Sequence, residues 1–157
     1  MSGTITTGLS DNFKLELLKG KHDFDLHVMR VALIKEDPTN SYSSSTVAYS
    51  DLGTDQATGL GYAGVYDTLG NGAIAAIATG YPQMATGTSV AIMDFEDAVF
   101  QSVTTAADGC ILYNDQADSA ANVIAVFSFG GTVSATAGDF TVQFPTPGAA
   151  TSILRLA

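Results

Sequence analysis

Four side chains able to bind metal crowd into positions 22–27: His22, Asp23, Asp25 and His27. Imidazole nitrogen and carboxylate oxygen are both ligands for divalent transition metals. If residues 24–28 are extended, Asp23, Asp25 and His27 share one strand face, because alternate side chains point the same way. The plainer reading is a polar corner between a helix and a strand, where Asp23 or Asp25 accepts backbone N–H bonds. Structural zinc sites close with four firm ligands, so the corner is preferred and no metal is expected.

The other groups with chemical potential are weaker still. Asp94, Glu96 and Asp97 form one acidic cluster, and Asp115 with Asp118 another. Neither has the ordered Asp/Asn-x-Asp spacing of a calcium loop, and nothing sets a carboxylate pair across a cleft for acid–base work. Ser and Thr are plentiful, but no G-x-S-x-G turn presents one as a nucleophile. Gly59-Leu60-Gly61-Tyr62-Ala63-Gly64 matches G-x-G-x-x-G literally. The dinucleotide motif needs a strand before it and a helix after it, whereas here a polar loop precedes and Asp67-Thr68-Leu69-Gly70 follows, so it reads as a turn. There is no Trp, and Tyr62, Tyr66 and Tyr81 are the one group that can form a platform for sugar stacking. A non-enzymatic protein without a cofactor is the expectation.

Charge is distributed unevenly. The net charge is −10, from 6 basic and 16 acidic residues. Five of the 6 basic residues fall within residues 11–35, and residues 36–154 contain no Lys or Arg but 12 of the 16 carboxylates. Phosphate contacts need Lys and Arg, so nucleic acid is not an expected partner, and an anionic membrane surface would repel the chain. A basic partner surface would attract it. No apolar run approaches the ~18 residues of a membrane span, and residues 1–10 lack the charged and apolar regions of a secretory signal. The single Cys110 cannot form an internal disulfide, lies in an apolar run, and favours an intracellular origin with a buried, inert thiol.

Small residues and sparse charge favour short strands over helices. Charged residues are 14% of the chain, against roughly 25% in an average soluble protein. One helix is expected near the start, capped by Asp11 and ended at Gly20, with Phe13 and Leu17, and Leu15 and Leu18, each one turn apart on an apolar face. At ~8–9 residues it is marginal alone and must dock on something. Residues 26–35 alternate and read as a long strand. Further strands are expected at 46–50, 61–66, 73–79, 89–95, 98–105, 109–114, 122–129, 132–136, 140–144 and 151–156. Asn71 with Gly72, Asp108 with Gly109, Gly130 with Gly131, and Ala137-Gly138-Asp139 supply turns. Strands at this spacing predict an all-β, single β-sandwich or jelly-roll-like domain over 11–157, with one short N-terminal helix and an arm at 1–10.

Several motifs together resemble a known family. They are Asn12-Phe13-Lys14 with Leu17, Leu18, Gly20, His22 and Phe24, then Ala32-Leu33-Ile34, Gly61 with Tyr62, Asp94 with Phe95, and residues 109–114. Phe129-Gly130-Gly131, Val133, Gly138-Asp139-Phe140-Thr141-Val142 and Phe144 with Pro145 complete them. The chain resembles the small β-rich virion structural proteins of tailed bacteriophages. The resemblance implies a capsid decoration or cement protein, made in the host cytoplasm and carried in the virion, that binds the major capsid protein as a homotrimer or other symmetric homo-oligomer. Phe13, Lys14, Leu17, Lys19, Lys21 and Arg30 are the expected contact residues, with residues 1–10 beside them. The alternatives are a head-fibre, collar or tail-tip subunit, or a carbohydrate-binding β-sandwich module.

Overall fold

The computed structural model describes residues 2–62, 73–78, 80–116 and 122–157. In chain order the elements are β1 (Gly8–Leu9), α1 (Asp11–Leu18), β2 (Met29–Lys35), a 3-10 segment (Tyr49–Asp55), β3 (Ala73–Ile74), β4 (Gln83–Met84), β5 (Ala91–Met93), β6 (Ala98–Asn114), β7 (Asn122–Val142) and β8 (Leu154–Leu156). A five-stranded sheet runs β1-β7-β6-β2-β3 and a three-stranded sheet runs β4-β5-β8, with every pairing antiparallel. The chain is all-β, with α1 near its start.

The centre of the large sheet is buried on both faces. Along β2, Met29, Val31 and Leu33 join one apolar cluster while Ala32 and Ile34 join a second, as the period of two requires. On β6 and β7, Leu112 and Ile124 belong to the first cluster, and Ile111, Tyr113, Val123 and Val126 to the second. The small sheet contributes Met93 and Leu154 to the first cluster, and α1 contributes Phe13. The 42–52 region covers the second through Tyr42 and Leu52.

Where sequence reading expects five separate strands, two very long ones form. Segments 98–105 and 109–114 are one strand, β6, and 122–129, 132–136 and most of 140–144 are one strand, β7. The turn signals serve bulges instead. β7 has 21 residues against 17 in β6, and four register irregularities absorb the difference. The largest skips from the Gly109↔Ser128 pair to Ala107↔Val133, leaving residues 129–132 opposite Asp108. Gly130 adopts φ 77° there, and Thr132 Oγ1 donates to Asp108 Oδ1 at 2.6 Å. Ala137 sits at φ 48° in a second irregular stretch rather than in a hairpin turn.

Other boundaries shift for local reasons. Ser10, not Asp11, holds the N-cap position of α1, and Asp11 in the first turn pairs with Lys14 at 2.8 Å. Gly20 follows the helix at φ 68°, as expected of its stop. The expected strand at 26–35 begins only at Met29, and that at 46–50 shrinks to a bridge between Ala48 and Asn122 before the 3-10 segment. Of the two strand segments in the Gly/Ala region, Gly61 and Tyr62 form a turn, residues 63–72 and 79 lie outside the described residues, and β3 keeps just Ala73 and Ile74 of 73–78. β8 takes the expected edge position. Residues 2–10 lie along the domain: Thr6 N donates to Tyr42 O at 2.8 Å, and β1 pairs with Val126 and Ala125 of β7.

The loop from β2 to the 3-10 segment is fastened by one carboxylate. Asp55 is fully buried and accepts from Thr39 N (2.9 Å), Asn40 N (2.7 Å), Asn40 Nδ2 (3.0 Å) and Tyr42 Oη (2.9 Å), and it pairs with Lys35 Nζ at 2.9 Å. Burial alone would raise its pKa, but the Lys35 ammonium, the two backbone amides and the Tyr42 hydroxyl outweigh it and hold the carboxyl well below the ordinary carboxylate range. An unfolded aspartate titrates near about 3.9. The stabilisation from Asp55 is therefore complete above that pH and is lost as pH falls toward the folded value. Asp55→Ala is predicted to cost about 3–5 kcal/mol, because it strands Lys35 together with the amide and hydroxyl donors around it. Asp55→Asn should lower Tm at pH 7 and make the acid-side fall in Tm shallower. A calorimetric Tm–pH curve with the wild-type slope would refute the assignment.

Candidate functional site

Helix α1 and the small sheet face each other across an apolar groove of about 530 Å³. On one wall, Phe13 and Leu17 lie one helical turn apart and turn inward, with Leu9 and Phe24 beside them. On the other, Ala91 pairs with Leu156 and Met93 with Leu154, so all four side chains share the sheet face that meets α1. Eleven of the thirteen lining residues are apolar, and the remaining two are Lys14 and Arg155. At the lip, Leu18 is 88% and Leu156 60% exposed. Both cations already have partners: Lys14 pairs with Asp11 at 2.8 Å, and Arg155 Nη1 donates to Ala150 O at 2.9 Å.

A buried polar network holds α1 in place. Glu16 points inward although Leu15 and Leu18, on the neighbouring turns, point out. Its carboxylate accepts from Asn122 Nδ2 at 2.9 Å on both oxygens and lies 3.0 Å from His22 Nε2. Asn114 Nδ2 is 3.1 Å from His22 Nδ1 and 2.9 Å from His27 Nδ1. These partners assign His22 the tautomer with hydrogen on Nε2, donating to Glu16 and accepting from Asn114. Asn114 and Asn122 face each other across the β6–β7 ladder, so the network joins the helix to both strands of the hairpin. His22 also packs edge-on against Phe13, with ring centroids 4.8 Å apart.

Three of the six expected contact residues, Phe13, Lys14 and Leu17, come together in this groove. Lys19 is exposed at the C-cap of α1 and Lys21 is half-buried beyond it. Arg30 lies apart on β2, half-buried, with Nε 2.7 Å from Asp115 Oδ2. The opposite wall was not legible in sequence, because long-range strand pairing assembles it. Its one signal is Arg155, a lone cation between Leu154 and Leu156 after 119 positions without a basic residue. No protein-family model, no curated protein and no solved structure matches the chain.

The polar corner at 22–27 takes the plainer of its two forms. Asp23 Oδ1 accepts from Asp25 N at 2.9 Å and Leu26 N at 3.1 Å, and Asp23 O accepts from His27 N at 2.9 Å. That turn removes the shared strand face on which a metal reading depends. Among the described residues, no group of three or more His, Cys, Asp and Glu side chains is arranged to hold a metal ion, and no helix is long and apolar enough to cross a membrane.

Of the G-x-G-x-x-G glycines, Gly59 and Gly61 serve close backbone approach, and Gly64 lies outside the described residues. A Cβ on Gly59 would sit 1.9 Å from Thr104 O, and one on Gly61 2.8 Å from Ser102 O. Tyr62 is buried against Phe100 and receives Leu33 N–H on its hydroxyl at 2.8 Å. Burial pushes its phenol up to about 12. Its ring is committed to the core and cannot stack on a sugar, Tyr66 lies outside the described residues, and Tyr81 packs half-buried against the core. Cys110 is fully buried, and burial pushes its thiol well above the ordinary range.

In the acidic cluster, Asp97 Oδ1 accepts from Phe144 N at 2.9 Å, while Asp94 Oδ1 is buried without a partner. Burial, then the Glu96 and Asp97 charges, raise the Asp94 pKa against a backbone hydrogen bond from Phe95. Asp118 of the second cluster lies outside the described residues.

Two measurements test these contacts. Glu16→Leu strands the Asn122 amide and His22 Nε2, and is predicted to lower stability by about 2–4 kcal/mol and to speed amide exchange along α1 before the sheet opens. Exchange that stays uniform would remove Glu16 from its anchoring role. Asp94 has the opposite sign to Asp55: a raised folded pKa favours the fold at low pH and penalises it as pH rises through that value. Asp94→Asn should therefore raise Tm at pH 7 and leave it unchanged near pH 3, and an unchanged Tm at pH 7 would contradict the account.

Proposed function

We propose that this chain is a non-enzymatic virion structural protein of a tailed bacteriophage. Its role is that of a capsid decoration or cement protein, which docks on the major capsid protein as a symmetric homo-oligomer such as a trimer. The observation that carries this reading is the apolar groove between α1, β5 and β8, with Lys14 and Arg155 on its walls and Leu18 and Leu156 at its lip. Exposed apolar surface of this kind marks an interaction site in a soluble protein. The two-sheet arrangement supports a β-sandwich or jelly-roll-like domain, a rigid body whose weak contacts symmetry can multiply over a shell.

Particle stoichiometry and docking both test the proposal. A cement protein is present in hundreds of copies, so a stained gel of purified particles that reads a few copies identifies a fibre, collar or tail-tip subunit instead. Leu18→Asp and Arg155→Glu, at exposed positions, should leave Tm within about 2 °C of wild type and reduce occupancy on expanded shells at least tenfold. Full occupancy by both variants would remove the groove from the docking surface.

A further inference from the structure

A second surface, apart from the groove, carries charge that the chain itself does not answer. An open pocket of about 360 Å³ lies where residues 94–97 meet residues 143–147, and it shares no lining residue with the groove. Asp94, Glu96 and Asp97 all line it. We infer that this pocket receives an arginine side chain of a partner protein. The inference does not rest on the docking role of the groove.

Asp94 distinguishes the pocket from an ordinary solvated acidic patch. It is 5% exposed, and its Oδ1 is buried without a hydrogen-bond partner, an arrangement that costs the free protein stability. The charges beside it, on Glu96 and Asp97, have its own sign. Among the described residues no ion pair reaches any of the three, and residues 36–154 contain no Lys or Arg. A buried carboxylate is poorly screened by water, so a cation entering the pocket interacts with it strongly. Asp97 Oδ1 meanwhile accepts from Phe144 N at 2.9 Å, which holds the two walls together.

Geometry selects guanidinium among cations. Among the described residues no three carboxylates converge as metal ligands, and the pocket is far larger than one ion requires. Guanidinium spreads five N–H donors over a plane and can serve carboxylates that do not converge, whereas the ammonium of lysine is a point charge. The 143–147 wall suits the rest of the side chain. Pro145 and Pro147 have no N–H to repel a donor, and with Phe144 they supply apolar surface for the methylene stem.

A second copy of this chain is a poor source of that side chain. Both of its arginines are engaged, Arg30 with Asp115 at 2.7 Å and Arg155 Nη1 with Ala150 O at 2.9 Å. Lys14 and Lys35 are paired with Asp11 and Asp55. The remaining cations, Lys19 and Lys21, are ammonium groups. The arginine therefore comes from a different chain.

Amide NMR titration of the full chain with the blocked peptide acetyl-Gly-Arg-Gly-amide tests the inference. Saturable shifts are expected at residues 94–97 and at Gln143, Phe144 and Thr146. Binding should be at least fivefold weaker when lysine replaces the peptide's arginine, and should weaken as salt rises. The Asp94→Asn, Glu96→Gln double variant should bind at least tenfold more weakly. That variant keeps its fold, because Asp94→Asn removes a buried charge that has no partner. Absence of saturable shifts at these amides overturns the inference. A lysine peptide that binds as tightly as the arginine peptide overturns it too, as does a drop in sedimentation mass for the double variant, which would place a second copy in the pocket. Saturation of the same amides by calcium chloride, with no response to the peptide, would make the pocket a metal site and overturns the inference. Saturation by free agmatine with the peptide excluded would make it a site for a small amine and overturns it equally.

Discussion

The structure depends on one constraint: strands β2, β6 and β7 are apolar on both faces, so the sheet they form needs a cover on each side. Val31, Leu33, Leu112 and Ile124 demand one cover, and Ala32, Ile34, Ile111 and Tyr113 demand the other. Burying a side chain of this size contributes about 1.5–3 kcal/mol, so neither face can be left to water. The covers themselves have little regular structure. One is a helix of 8 residues with a sheet of three short strands, and the other is the 42–52 loop with a 3-10 segment. Each is fastened by a buried carboxylate, Glu16 on the first and Asp55 on the second. Both work the same way, by collecting donors from segments distant in sequence. Glu16 ties α1 to Asn122 and, through His22, to Asn114, whereas Asp55 ties the end of β2 to the loop that follows. Their satisfaction is what makes burial of these charges tolerable.

The same centre explains the unusual length of β6 and β7. Where both faces are buried, at 110–114 and 122–126, the ladder is regular apart from one shift between Leu112 and Tyr113. Toward the other end, β7 is largely exposed from Gly130 to Asp139, and there the bulges accumulate. A one-residue slip in the buried half would drive polar groups into the core, so its register is strongly specified. In the exposed half a slip costs little, and Gly130, Gly138 and the Asp108 hydrogen bonds set the register locally.

Much of this was legible in sequence, and the failures share a cause. The all-β class followed from composition and strand spacing, and the helix and its stop at Gly20 followed from local signals. Gly130 with Gly131 and Ala137-Gly138-Asp139 carried real turn chemistry, but the same residues serve a bulge when the partner strand continues past them. Only the pairing decides, and pairing is non-local. The helix face failed for a similar reason. The expected face of Phe13, Leu17, Leu15 and Leu18 splits, with Phe13 and Leu17 inward and Leu15 and Leu18 exposed, because periodicity cannot foresee that Asn114 and Asn122 wait at the end of the hairpin for the Glu16 carboxylate. The site was half legible: the α1 wall sits in the one basic–apolar segment, whereas the opposite wall exists only after β5 pairs with β8.

That choice of helix face bears directly on function. An 8-residue helix is below the ~12 residues at which helices become even marginally stable in water, so α1 exists because the domain holds it. An ordinary solution would turn Leu15 and Leu18 inward and leave Glu16 in solvent. Here the reverse holds: Glu16 is 7% exposed and Leu18 88%. The polar network adds to the anchoring that Phe13 and Leu17 supply, and Leu15 and Leu18 stay at the surface. Because hydrogen bonds are directional, the network also fixes the rotation of α1 about its axis more sharply than apolar packing would. The result is an apolar lip, Leu18 with Leu156, held at the mouth of the groove. A lip of this kind is already ordered before any partner arrives, so little conformational entropy is lost when one binds.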